Sequence, residues 1–291
     1  MNIGRHLSSE YPTLGVVIPC HNNSRQLYGV LKSLIHQTVR PETIVVVDDN
    51  SDSWQESRLR SLCRCCRVYY RKLAAPRNRL EALGRRSHAR NVGTVCLDTD
   101  IILYLDGDML LDPGYVEAIK FYHRALPEVY VRGQRFSIPV TCQARGMEAC
   151  LSAIGIPGET LSLPYVTCPK DFVWQNVFEG AYRDRWEWCA SNNLSVRREY
   201  VARIGYWDEN FVGWGEEDID FSFRLHKIGL TPILLVSNAA AAFHLEHDIS
   251  HEANALALRR NAKYLLAKSP EIAPYREEAY GHYGITIQQL R

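Results

Sequence analysis

Residues 101–108 read Ile-Ile-Leu-Tyr-Leu-Asp-Gly-Asp, an apolar run that stops abruptly at two aspartates flanking one glycine. The run has the length and content of a buried strand, which sets Asp106 and Asp108 at its carboxyl end. Two carboxylates this close repel each other unless a cation sits between them. Hard divalent cations such as Mg²⁺ or Mn²⁺ take oxygen ligands and keep part of their water shell. One or two carboxylates completed by phosphate oxygens is their usual arrangement in nucleotide-using sites. The pair therefore points to Mn²⁺ or Mg²⁺ with a phosphorylated partner. Ordinary turn chemistry is the competing reading of the same three residues.

Outward from this stretch the first half alternates strand and helix. Leu14 to Ile18 is a short apolar run ended by Pro19, and the next segment repeats apolar residues at Leu27, Leu31, Leu34 and Ile35, a helical spacing with Ser24 as its cap candidate. Residues 43–47, TIVVV, form the continuous β-branched run of a strand covered on both faces. A polar helix over 53–66, a strand at VYYRK and a helix from about Arg85 to Leu97 follow, leading back to the strand that ends at Asp106. This order predicts an α/β fold with a mostly parallel sheet, and such sheets collect ligands at their carboxyl ends. There the chain reads PCHNNS, DDNSDS and DGDM.

The second half is less regular. Residues 130–180 are rich in Gly, Pro and aromatics and read as long loops around a site. EEDIDFSFRLHKIGL opens on acids and closes on His226, Lys227 and Gly229, the order of a helix. PILLV reads as a strand, and NALALRRNAKYLLAK as an amphipathic helix. The simplest division is a single domain over 1–250, with halves 14–125 and 126–250, and a helical extension over 251–291.

The chain has 291 residues, 46% of them hydrophobic and 23% charged, which is ordinary for a globular protein with a sizeable core. A net charge of +1 gives no field that would seek nucleic acid. No stretch reaches the roughly 18 apolar residues of a membrane span, and the first residues lack the apolar core of a secretory signal. The expected location is the cytoplasm, with peripheral membrane docking through the RRNAKYLLAK stretch left open. Nine cysteines are an odd number, against a closed disulfide framework. Cys63, Cys65 and Cys66 lack a zinc spacing and read as reduced thiols.

Four ordered segments resemble the inverting GT-A glycosyltransferases of the large bacterial nucleotide-sugar family: VVIPCHN at 16–22, VVVDDNSD at 45–52, ARNVG at 89–93 and YLDGDM at 104–109. A second block resembles the carboxyl half of galactosyl- and N-acetylgalactosaminyltransferases: SNNLSVRREYVARIGYWDENF, then GWGEEDIDFSFRLHKIGL. In it residues 213–220 match Gly-Trp-Gly-x-Glu-Asp-x-Asp. The resemblance implies a GT-A fold, a Rossmann-like nucleotide-binding sheet followed by the helical extension. It also implies a metal-dependent inverting transfer of a hexose or N-acetylhexosamine from a UDP-sugar to an acceptor. That acceptor would be a glycan, lipid-linked sugar, peptide or small metabolite.

The roles implied are as follows. Asp49, with Asp48 beside it, accepts a hydrogen bond from uracil, and Pro19 and His21 line the same pocket. Arg90 and Asn91 lie near ribose or diphosphate, with Arg85 and Arg86 as competitors. Asp108 ligates the metal, Asp106 contacts ribose or the metal through water, and His244 in HLEHDISH supplies a further ligand. His247 and His251 are further candidates, and a zinc site of all three histidines is the rival arrangement. Asp218 is the catalytic base, Glu217 holds a sugar hydroxyl, and Trp214 stacks on a sugar between Gly213 and Gly215, whose freedom would let the loop close. Asn192, Asn193 and Ser195 are candidates for the donor-sugar pocket, Trp186 and Trp188 for the acceptor. A nucleotidyltransferase and a catalytically silent nucleotide- or sugar-binding subunit are the alternatives.

Overall fold

The computed structural model describes residues 11–52, 67–155, 185–235, 240–247 and 251–290. The chain order is β1 (Leu14–Cys20), α1 (Ser24–Ile35), β2 (Thr43–Asp48), β3 (Arg67–Lys72), α2 (Arg86–Val95), β4 (Ile101–Leu105), β5 (Met109–Leu111), α3 (Tyr115–Ala125), β6 (Val129–Arg132) and β7 (Gln134–Ile138). Two short helices follow, α4 (Val140–Gln143) and α5 (Met147–Ala153), then β8 (Asn193–Arg197), α6 (Arg198–Arg203), α7 (Glu217–Lys227), β9 (Thr231–Leu234) and β10 (Ala241–Leu245). The chain ends in α8 (His251–Lys268), α9 (Ala273–Gly281) and α10 (Ile287–Leu290).

Seven strands form one sheet in the order β3-β2-β1-β4-β8-β6-β9. The first four are mutually parallel, whereas β8 runs antiparallel to both β4 and β6. Alternate residues of the central strands feed two cores. Val16, Ile18, Ile44, Val46, Leu103 and Leu105 face one. Val17, Val45, Val47, Ile102 and Tyr104 face the other. Burial on both faces is why these segments are continuously apolar rather than alternating. The expected strand-helix rhythm therefore holds in the first half. The 53–66 helix and the Cys63, Cys65 and Cys66 cluster lie outside the described residues.

The second half departs from the expectation in one respect. Much of 130–155 is regular, with β7 joining β10 and β5 in a second, three-stranded sheet. That small sheet carries the histidines: His244 sits within β10 opposite Met109, and not on a helix start. A third core, of Leu258, Ala262, Leu266, Ala273, Tyr280, Ile285 and Leu290, binds the C-terminal helices together, with Trp214 packed against it.

Register brings the functional turns together. Cys20 pairs with Asp48 and Val17 with Tyr104, so β1, β2 and β4 all end at one edge of the sheet. Gly107 lets the turn pack closely, because a Cβ there would lie 2.5 Å from Asn23 Nδ2 and 3.2 Å from the Pro19 carbonyl and would push Asn23 aside. Among the described residues, no helix is long and apolar enough to cross a membrane.

Candidate active site

A cleft of about 630 Å³ opens at this edge, lined by Pro19, His21, Asp49, Arg86, Asp106, Asp108 and His247 among others. Arg85 donates from its backbone and Nε to the two Asp49 oxygens, at 2.7 and 2.8 Å. His21 Nδ1 lies 2.8 Å from the Asp49 carbonyl oxygen. The β1 and β2 turns are thus stitched into one wall. Asp48 corrects the expectation placed on it. It is buried beneath this wall, where its carboxylate accepts from the backbone and hydroxyl of Ser51. It shapes the turn and leaves the opening to Asp49.

Asp108 faces His247 Nε2 at 3.2 Å and His244 Nε2 at 3.5 Å. One ligand atom from each of the three lies within 4.8 Å of the others, a group able to hold a metal ion. Burial pushes the Asp108 carboxyl up, but hydrogen bonds from His244 and His247 outweigh it and hold the group well below the usual carboxylate range. Its Oδ1 is buried and has no hydrogen-bond partner, as expected of an oxygen aimed at a cation. One carboxylate and two imidazoles suit a divalent transition-metal ion. His247 therefore joins His244, while the His251 side chain lies outside the described residues. Asp106 stands apart from this group, its Oδ1 turned to Arg90 at 3.3 Å.

Arg90 is the residue whose place the sequence did not reveal. Its guanidinium is buried, lies 4.6 Å from the Trp207 ring centre, and donates to Asp106 at 3.3 Å and to Glu217 Oε1 at 3.2 Å. The expected diphosphate contact is corrected: both ends of this cation are already engaged by carboxylates, and Arg86 is the arginine that lines the cleft. In exchange, Arg90 draws the start of α7 to the aspartate turn, bonding Glu217 127 residues along the chain and Asp106 only 16. Asp218 follows Glu217 in the first turn of α7. Part of its surface reaches solvent, yet it is enclosed enough to titrate abnormally. Burial, then Glu217 and Glu216, raise its carboxyl to about 7, against the pull of Arg90 and Arg276.

Several other expectations find different positions. Asn91 exchanges hydrogen bonds with the Trp207 backbone and donates to Glu209, so it fixes the 207–209 loop outside the cleft. Asn193 is fully buried in the sheet, donating to the Gly133 carbonyl, and Ser195 likewise donates to Val131. Asn192 hydrogen-bonds through its carbonyl to the Asp106 backbone. Trp188 is buried under Arg185 at 3.9 Å and Trp186 packs on Phe223. Trp214 is half-buried, 5.8 Å from the Tyr283 ring, not on the cleft wall. Its loop is tethered: Gly213 donates to the Gly84 carbonyl, Arg86 to the Gly213 carbonyl, and Asn261 to that of Gly215.

Residues 15–149 match the family model of glycosyl transferase family 2, and residues 177–248 match that of the N-terminal domain of galactosyltransferase. The chain is 28% identical over 282 residues to validoxylamine A glucosyltransferase of Streptomyces hygroscopicus subsp. limoneus, covering 92% of this chain and 59% of that one. It is 26% identical over 284 residues to the uncharacterized glycosyltransferase YfnE of Bacillus subtilis (strain 168), covering 87% and 69%. It thus spans about six-tenths of the first relative's length. S. aureus TarS 1-349, solved in complex with UDP, superposes with a TM-score of 0.57 at 16% identity, over 87% of this chain and 65% of that one. The architecture is the GT-A fold. Both matched models describe glycosyltransferases, and the chain resembles the family 2-like members of that class.

Proposed function

We propose that the chain transfers a hexose or N-acetylhexosamine from a UDP-sugar to an acceptor nucleophile by direct displacement, with inversion, and that Asp218 is the base. The observation that carries this reading is the Arg90 bridge, which holds the first acids of α7 beside the aspartate turn. Asp49 and His21 at one wall of the cleft suit a nucleotide base, and Asp106 suits its ribose. Asp108, His244 and His247 would hold Mn²⁺ or Mg²⁺, whose chemistry is to stabilise negative charge on a departing diphosphate.

Asp218 takes the acceptor's proton as its oxygen attacks the anomeric carbon. The bond from that carbon to the diphosphate oxygen breaks on the opposite face, and UDP leaves with its electron pair. A carboxyl raised to about 7 is well matched to proton abstraction near neutrality. Glu217, tied to Arg90, offers its second oxygen to a sugar hydroxyl. The test is to incubate the purified chain with a panel of UDP-sugars, Mn²⁺ and candidate acceptors, and to measure UDP release and product stereochemistry. Release of UDP only from a competent donor, with an inverted product, is expected. Absence of both hydrolysis and transfer with every UDP-sugar would overturn the reading.

A further inference from the structure

The loop leading to Asp218 has a backbone that does not hold itself. Gly213, Gly215 and Glu216 all have positive φ, at 80°, 95° and 73°. The glycines adopt such angles freely, which also leaves them free to adopt others. Glu216 has no such freedom, since a side chain in the left-handed region costs on the order of 1 kcal/mol. It occupies the variable position of the Gly-Trp-Gly-x-Glu-Asp-x-Asp pattern, where no chemistry was expected of it.

Its side chain explains the conformation. Glu216 is only 2% exposed, and an unpartnered carboxylate at that depth would be costly. Arg276 donates to both its oxygens, from Nη2 at 2.5 Å and Nε at 3.2 Å, and the Tyr280 hydroxyl donates at 3.1 Å. Both donors belong to α9, 60 and 64 residues away. Asn261 of α8 adds a bond to the Gly215 carbonyl at 2.9 Å. On the other side, Arg90 grips Glu217. The peptide that leads into Asp218 is therefore clamped between two arginines, Arg90 and Arg276, from distant parts of the chain.

We infer that Glu216, Arg276 and Tyr280 form a positioning lock for the base, which makes the C-terminal helices part of the acceptor-activating machinery. The inference rests on the reading of Asp218 as base. A misplacement of about 1 Å at a reacting group can cost a factor of 100. The nucleotide wall at Asp49 is joined to the lock's loop through hydrogen bonds at Gly213, three residues before Glu216. Loss of the lock removes none of those bonds, so it should lower kcat and spare donor binding, a separation that simple destabilisation does not produce.

The test uses the full chain carrying Glu216→Gly with Arg276→Met, which keeps the positive φ permitted and leaves no unpaired buried charge. The double variant should bind UDP with Mn²⁺ within twofold of wild type and show a donor KM within threefold. Its kcat should fall at least tenfold. Arg276→Lys should recover part of the loss, and Tyr280→Phe should lose less than the double variant. A kcat within twofold of wild type, or a loss carried by KM and UDP affinity alone, overturns the lock. If the double variant does not fold, Glu216→Gln decides: lowered kcat with retained UDP binding supports the lock, and unchanged kcat overturns it. Wild-type chain inactive toward every UDP-sugar would instead remove the base role, and the lock with it.

Discussion

The strand-end wall of the cleft and the acids that open α7 are built on different principles. The nucleotide side is made by strand ends: parallel pairing of β1, β2 and β4 delivers Pro19, Asp49 and Asp106 to one edge as a consequence of register. The base side is made by side chains. Asp218 owes its place to Arg90, to Arg276 and to a loop with three positive-φ residues. Backbone ladders tolerate the loss of any one side chain, but a clamp of single ion pairs does not. Substitutions on the base side should accordingly be the more damaging to turnover, and those on the nucleotide side to binding.

The strongest contrast should come from Asp218→Asn, with kcat lowered by a factor of about 10²–10⁴, the usual worth of a general base, and UDP affinity unchanged by calorimetry. Arg90→Ala should follow. Removing one partner from a buried ionic group costs about 3–5 kcal/mol, so a lowered Tm should accompany lost activity. Equal loss at the exposed Arg77 would break the comparison, since Arg77 pairs only with Glu81 at the surface. Asp108→Asn should weaken Mn²⁺-dependent UDP binding about 10–100-fold, as for perturbed metal sites generally, without moving metal-free binding.

The pH profile sharpens the contrast further. With the Asp218 carboxyl raised to about 7, kcat/KM should fall about tenfold per pH unit below that value and level off above it. Its sign on stability is the reverse. The folded chain keeps this proton to higher pH than the unfolded chain, so the group lowers stability as pH climbs from roughly 4 to about 7. A flat kcat/KM profile between pH 5 and 8 would remove Asp218 from the role. The smallest effect is expected at Asn91→Ala, whose lost bonds to the 207–209 loop should cost about 1–3 kcal/mol with kcat barely changed.

How much of this was legible in the sequence follows the same division. Features written as local periodicity were readable: the apolar strands, the helix start at Glu217, and the aspartate turn with Gly107 between its acids. The histidines were readable as candidates, though not the seat of His244 in a strand. Arg85, Arg86 and Arg90 could not be told apart, because only the third dimension shows that one binds Asp49, one lines the cleft and one is buried between acids. Asp48 and Asp49 are neighbours with identical chemistry, and only Asp48 lies within β2, every residue of which is buried. Glu216 and Arg276 carry no local signal at all, being 60 residues apart.

The order of strands has a consequence for how this molecule comes into being. β8 is wedged between β4 and β6, and β10 lies between β5 and β7. Asp106 is therefore braced by residue 192 and Asp108 meets its imidazoles only from residues 244 and 247. Such distant pairings form late, because long loops must close first. A nascent chain that has already assembled its first four strands would still be unable to grip a cation until nearly 250 residues have been joined.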